Sequence, residues 1–158
     1  MQRILWVINK MTRREKAMEL FESGYNCAQA VVLAFSDLTE LDEKTLARLA
    51  SSFGGGMGRL REVCGAVSGM AMIAGLLYGY DGAEGGAEKA EHYARIQRLA
   101  GRFSEKNGSV VCRELLGLTK KADDPVPEKR TKEYYKKRPC RELVGDAAEI
   151  LEIFIKSC

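Results

Sequence analysis

A charge-free apolar segment near the middle of the chain places the strongest limit on the fold. The segment Val63–Tyr78, VCGAVSGMAMIAGLLY, lacks charged residues and is apolar on every side of a helical projection. Such a segment is either a buried helix or a membrane span, and a span needs about 20 residues. Its small residues, which favour close packing between helices, are Gly65, Ser68, Gly69 and Gly75. The segment therefore predicts a Gly- and Ala-rich buried central helix, with no membrane insertion.

Capping residues predict three helices on the N-terminal side of this segment. Thr12 and Glu15 match a capping box, and an apolar stripe follows until the helix ends near Gly24. Asn26 is the predicted cap of a second helix, and Asp42 of a third that runs to Phe53. These helices begin with residues that satisfy free backbone N–H groups, so their starting points are well defined.

Further helices are predicted on the C-terminal side. Helical spacing of apolar residues predicts helices over 87–106 and 111–116, and Pro139 opens a last helix. The segment 120–138 between them predicts a charged connector whose basic residues form a solvated face. Nothing predicts a strand, so the fold class is all-α, a single-domain helical bundle of about six to seven helices.

Length and charge narrow the class of protein. The chain has 158 residues, which suits one domain, and its net charge of +3 is too small to indicate a nucleic-acid partner. The first ten residues, MQRILWVINK, contain a short apolar stretch without a small-residue cleavage site, so a secretory signal is not expected. We interpret residues 1–10 as an N-terminal extension of a domain at 11–158, and expect a cytoplasmic protein.

Four of the five cysteines lie near predicted helix N-termini, where the helix dipole and free N–H groups stabilise a thiolate. Because the cytosol is reducing, these thiols are expected to be metal ligands or redox groups, not a disulfide framework. A single cysteine of this kind is usually a small buried hydrophobe, but four together predict one shared site. The four are Cys27, Cys64, Cys112 and Cys140, and the fifth, Cys158, is the final residue.

An arginine follows two of these thiols directly. The segments CRELLG, from Cys112, and CRELVG, from Cys140, begin alike and suggest a weak internal repeat. Each arginine is expected to favour the anionic form of the neighbouring thiol. The lone His92 is expected to be a surface residue and not a ligand.

A glycine-rich segment precedes Cys64 and has two interpretations. Its N–H groups could cradle an anion or cofactor, with an arginine beside them. Alternatively, the missing side chains make it a tight connector that lets the backbone approach its neighbours. It matches neither a Walker sequence nor a dinucleotide fingerprint, and the candidate binding residues are Gly54, Gly55, Gly56, Gly58 and Arg59.

These motifs, taken in order, resemble one known family. The segments are YNCAQA from Tyr25, GGGMGR from Gly54, CGAVSG from Cys64, CRELLG from Cys112, and Cys140. In this order the chain resembles the C_GCAxxG_C_C family of redox-active proteins over roughly residues 12–155. The resemblance implies a helical fold, redox activity and association of some members with membrane transporters. It implies that the four internal cysteines are the functional residues of this chain and that Cys158 is not one of them.

The residues leave several mechanisms open. Four thiolates from separate helix starts suit an iron–sulfur cluster, and zinc fits less well because paired ligands two to four residues apart are missing. Without metal, the same four cysteines would cycle between dithiol and disulfide with a redox partner. The alternative is a non-catalytic adaptor protein whose fold is stabilised by a metal ion or by disulfides. Such an adaptor could bind a membrane transporter. The small residues of the central helix also make a homodimer an open alternative.

Overall fold

A computed structural model describes residues 11–158, and the N-terminal extension predicted at 1–10 lies outside the described residues. The described part is helical and contains no named strand, only an isolated β-bridge between Val63 and Val111. The all-α prediction is therefore confirmed. The helices are α1 (Arg13–Glu22), α2 (Cys27–Ala34), α3 (Glu43–Ala50), α4 (Gly65–Tyr78), α5 (Gly86–Asn107), α6 (Cys112–Leu115), α7 (Lys132–Lys137) and α8 (Cys140–Lys156).

The predicted caps start the first three helices. At α1, the Thr12 hydroxyl accepts from the Glu15 N–H at 3.1 Å, and the Glu15 carboxylate accepts from the Thr12 N–H at 2.9 Å. Asn26 and Gln29 form the same reciprocal pair at the start of α2. Asp42 caps α3, which ends at Ala50 and is followed by one 3-10 turn up to Phe53. The cap at Asn26 fixes Cys27 as the first residue of α2.

Helix α4 packs closely against α2 in the core, as its small residues predict. A Cβ built on Gly69 would lie 2.8 Å from the Ala28 carbonyl oxygen, so only glycine permits this approach. The prediction that the whole segment from 63 to 78 is buried needs correction, because Val63 is 46% exposed and Leu76 is 45% exposed. The helix begins at Gly65, and one side of it faces outward. None of the described helices combines the length and apolarity needed to cross a bilayer.

The connector predicted at 120–138 is not simply a solvated face. It contains helix α7, and two of its basic residues are directed inward. Arg130 lies 3.9 Å above the Phe21 ring and donates to the Tyr25 carbonyl oxygen at 2.9 Å. Arg138 is buried and pairs with Glu128. Backbone carbonyl groups and the Phe21 ring, distant in sequence, hold Arg130, and such partners leave no local pattern, whereas the partner of Arg138 lies within the connector itself.

His92 is also placed differently from its prediction. It is 9% exposed, and its Nδ1 lies 3.0 Å from a guanidinium nitrogen of Arg95. Its ring packs edge-on against Tyr80. This histidine is therefore a packed residue of α5 and not a surface residue.

Candidate functional site

All four predicted cysteines lie at the start of a helix. Cys27, Cys112 and Cys140 are the first residues of α2, α6 and α8, and Cys64 is the N-cap residue of α4. The same four residues line one cavity of about 360 Å³. Cys158 does not line it and lies exposed after the end of α8. The structure thus brings together the thiols that the sequence grouped.

Three of the thiols are held in their neutral form. Burial is the main cause that raises the pKa of Cys64 well above its ordinary value, and the nearby Cys27 charge raises it further. Burial likewise raises the pKa of Cys140 to about 12, again with a contribution from Cys27. Burial raises the pKa of Cys112, and a hydrogen bond from Arg61 opposes that rise. Cys27 is therefore close enough for its charge to raise the pKa of each of the other three thiols.

The glycine that follows Cys64 makes room for the Cys27 sulfur. A Cβ built on Gly65 would lie 2.6 Å from Cys27 Sγ and 2.6 Å from the Phe53 carbonyl oxygen. Because real Cβ atoms do not approach so closely, the sulfur occupies space that a side chain at Gly65 would fill. Cys27 Sγ therefore lies against the first residue of α4, directly beside Cys64 in the chain.

The glycine-rich segment forms a left-handed turn against Cys112. Its φ angles are positive from Gly55 to Arg59 and again at Arg61. A Cβ built on Gly56 would lie 2.7 Å from the Cys112 Cβ, so close packing requires this glycine. Backbone N–H groups from Gly58 to Glu62 donate to carbonyl oxygens of the same segment. The contact of Gly56 with Cys112 supports close packing at that position, whereas Gly54, Gly55 and Gly58 line the cavity and their binding of an anion or cofactor stays a prediction.

Met57 stores backbone strain in this turn, so Met57→Gly is expected to stabilise the protein. Its φ is +69° and its side chain is 49% exposed. Left-handed backbone costs a non-glycine residue about 1–2 kcal/mol, so the substitution should raise the free energy of unfolding by about 1 kcal/mol. Met57→Ala is the control, since it removes the side chain and keeps the strain. Urea unfolding curves that coincide for the two variants would contradict this account.

Arg61 is the cationic neighbour of Cys112. It is 6% exposed, its Nε donates to the Asp123 carboxylate at 2.8 Å, and a terminal nitrogen donates to Cys112 Sγ at 3.7 Å. The arginines next to the cysteines in sequence do not take this role. Arg113 pairs with Glu62 at 3.1 Å, and Arg141 pairs with Glu22. The expectation that each adjacent arginine favours its neighbouring thiolate is therefore not met.

The connector supplies a wall of the cavity that the sequence did not indicate. Six of its residues line the cavity together with the cysteines, and one of them, Tyr134, has its pKa raised to about 12, mainly by burial. Arg59 also lines the cavity, and its Nε donates to the Asp124 carbonyl oxygen at 2.7 Å. The six connector residues are Pro125, Pro127, Glu128, Arg130, Tyr134 and Arg138.

The donor arrangement does not support a metal centre. Between residues 11 and 158, no three or more His, Cys, Asp or Glu side chains are grouped so that they could hold one metal ion. The four thiols share a cavity without converging on one point as a tetrathiolate centre requires.

A family model described as "Putative redox-active protein (C_GCAxxG_C_C)" matches residues 25–154, which is most of the chain. The chain belongs to the C_GCAxxG_C_C family. The matched range contains all four cavity cysteines and ends before Cys158, so the family model and the cavity select the same thiols. Searches of curated proteins and of solved structures found no match. For this C_GCAxxG_C_C protein, the family description supports redox activity and leaves its chemistry open.

Proposed function

We propose that this C_GCAxxG_C_C protein carries out thiol–disulfide exchange, with Cys27 as the attacking thiol and Cys64 as the resolving thiol. The observation that carries the proposal is the position of Cys27 Sγ against the first residue of α4. Cys27 is partly exposed in the cavity and lies at the positive end of α2. The other three thiols have raised pKa values, which disfavour them as attacking thiolates at neutral pH.

The exchange proceeds in two balanced steps. The Cys27 thiolate attacks one sulfur of a partner disulfide and expels the other sulfur as a thiolate, which leaves a mixed disulfide. Cys64 then gives its proton to the expelled partner thiolate, attacks the Cys27 sulfur and expels the second partner sulfur as a thiolate. Two protein thiols become one disulfide, and the partner disulfide becomes two thiols. Forming the mixed disulfide also removes the Cys27 charge that raises the pKa of Cys64, which favours the second step.

The remaining two cysteines supply a second dithiol. Burial raises the pKa of Cys140, and Cys27 and Cys112 add to the rise, so all three lie within electrostatic reach of one another. The four cysteines line one cavity, so we propose that Cys112 and Cys140 exchange with the Cys27–Cys64 disulfide through Cys27. Cysteines that act as redox thiols suit a reducing compartment, and we propose that the protein is cytoplasmic.

The test compares Cys27→Ser with Cys158→Ser. Each protein is equilibrated with mixtures of reduced and oxidised dithiothreitol, its free thiols are blocked with a maleimide, and peptides are mapped by mass spectrometry. Wild type and Cys158→Ser are expected to form the Cys27–Cys64 disulfide reversibly. Cys27→Ser is expected to lose this disulfide, and the rate of thiol loss should fall at least tenfold, because the attacking thiolate is gone.

Other outcomes identify the competing functions. Undiminished oxidation of Cys27→Ser would remove Cys27 from its proposed role. Iron and sulfide in protein purified without oxygen would instead support an iron–sulfur electron-transfer centre, and zinc would support a structural site. Thiols that do not react with disulfides would favour the non-catalytic adaptor stabilised by metal or disulfides, which could bind a membrane transporter. Mass measurement in solution tests whether the protein forms a homodimer.

A further inference from the structure

The wall of the cysteine cavity is strongly cationic. Four guanidinium groups surround the thiols, and two carboxylates offset part of their charge: Glu128 in the lining, and Asp123, which pairs with Arg59 and Arg61. Positive charge gathered in a partly enclosed site with low-dielectric walls attracts anions and concentrates them there. The four arginines are Arg59, Arg61, Arg130 and Arg138.

Arg130 differs from the other arginines in what it contacts. Arg61 pairs with Asp123, and Arg138 pairs with Glu128. Arg130 donates to the carbonyl oxygens of Phe21 and Tyr25, which carry no full negative charge, and within residues 11–158 no carboxylate pairs with it. Its charge is therefore held in the cavity wall without an ionic partner.

The guanidinium of Arg130 is also fixed in position. It lies 3.9 Å above the Phe21 ring and 5.7 Å from the centroid of the Tyr134 ring. Together with the two carbonyl contacts, this stacking holds the planar group in one orientation. A cation that is fixed before a ligand arrives loses little entropy on binding, so it can recognise a carboxylate efficiently.

The rest of the cavity limits the size and character of its ligand. Its volume of about 360 Å³ lies within the range of small-molecule sites. Part of the lining is apolar and comes from Leu115, Leu116, Pro125 and Pro127. The cavity therefore suits a small molecule with an apolar body and an anionic end, next to thiols that exchange with disulfides.

We infer that the substrates of this site are small disulfides that carry carboxylate groups, and that Arg130 is the residue that selects them. The inference rests on the proposed thiol–disulfide exchange and adds the substrate class. The carboxylate binds Arg130 while the disulfide lies at Cys27. The reaction is the exchange described above: the substrate disulfide is reduced to two thiols, and Cys27 and Cys64 are oxidised to one disulfide.

The test uses three disulfides with the same S–S–CH2–CH2 skeleton and different charges. They are dithiodipropionate, a dianion; hydroxyethyl disulfide, which is neutral; and cystamine, a dication. For each disulfide, the rate at which it oxidises the protein is divided by the rate at which it oxidises a free cysteine derivative. This normalisation removes differences between the leaving groups of the three disulfides. Wild type is expected to prefer the dianion over the neutral disulfide, and the neutral disulfide over the dication.

Arg130→Gln isolates the selecting residue. It is expected to slow the reaction with the dianion about tenfold and the reaction with the neutral disulfide less than twofold, because only the former uses the charge. Arg141→Gln is the matched control, since it makes the same change in net charge at a surface arginine that pairs with Glu22 outside the cavity. It should change neither rate. An unchanged rate with the neutral disulfide would also show that the cysteine site of Arg130→Gln is still intact.

A binding measurement separates recognition from redox chemistry. Octanedioate has the skeleton of dithiodipropionate with S–S replaced by CH2–CH2, so it cannot exchange. Calorimetry should detect its binding to wild type and to Arg141→Gln, and loss of binding in Arg130→Gln. If all three disulfides oxidise wild type with equal normalised rates, the charge selectivity is refuted and the exchange function stands. If none oxidises it, the proposed function fails and the substrate assignment fails with it.

Discussion

Gly65→Ala is expected to lower the free energy of unfolding by about 2–3 kcal/mol, the cost of overpacking a dense core. The new Cβ would lie 2.6 Å from Cys27 Sγ and 2.6 Å from the Phe53 carbonyl oxygen. The carbonyl belongs to the backbone and cannot swing aside, so Cys27 or the start of α4 must move. The substitution should also change the rate at which maleimide labels Cys27, because the sulfur loses its present position.

Gly75→Ala is the matched control in the same helix. A Cβ at Gly75 would meet nothing within 4 Å, and alanine is favoured over glycine in a helix interior by about 1 kcal/mol. Gly75→Ala should therefore stabilise the protein and leave labelling of Cys27 unchanged. Urea unfolding with maleimide labelling measures both effects. A loss of stability of similar size in the two variants would show that the contact of Gly65 with Cys27 is not responsible.

The helix starts could be predicted from the sequence because they depend on neighbouring residues. The capping boxes at Thr12 and Asn26 lie within four residues of the N–H groups that they satisfy. The cap at Asn26 fixes the position of Cys27, and the other three cysteines also lie at helix starts, although no side chain caps those helices. Their shared cavity was also expected, because four thiols in the same local setting suggested a common site.

The arginines around the thiols could not be predicted in the same way. Arg113 follows Cys112 in the sequence, but consecutive residues on a helix point about 100° apart, so Arg113 faces away and pairs with Glu62. The cation at Cys112 is Arg61, on a turn that is distant in sequence. Arg130 belongs to a charged connector that resembles a solvated surface, and only its contacts with α1 reveal its place.

The second large effect is expected at Asp146, which joins three helices. This residue of α8 is 5% exposed and pairs with Arg14 of α1 and, at 2.9 Å, with Lys106 of α5. Asp146→Ala leaves both cations without this partner. Removing one partner of a fully buried pair costs about 3–5 kcal/mol. The expected loss in unfolding free energy is about 2–3 kcal/mol, because the side chains of Arg14 and Lys106 remain 25% and 51% exposed and can regain water.

Glu149→Ala provides the control for this effect. Glu149 contacts the same two cations at longer distances, 3.4 Å from Arg14 and 3.6 Å from Lys106, and its side chain is 43% exposed. Exposed pairs of this kind contribute about 0–1 kcal/mol, so this substitution should have a small effect. Equal losses in the two variants would mean that burial of Asp146 does not determine its contribution.

The effect at Asp146 should also depend on pH with a definite sign. Burial opposes ionisation of this carboxyl, but hydrogen bonds from Arg14 and Lys106 outweigh it, so the pKa of Asp146 is lower than its ordinary value. As the pH falls, the unfolded chain therefore binds this proton first, near pH 4, and the stabilisation is lost as the pH passes through the folded-state pKa. The stability difference between wild type and Asp146→Ala should be largest at pH 6 and shrink by pH 3. Other carboxylates titrate in both proteins and largely cancel in this difference, so a difference that stays constant with pH would show that the Asp146 charge is not what stabilises the fold.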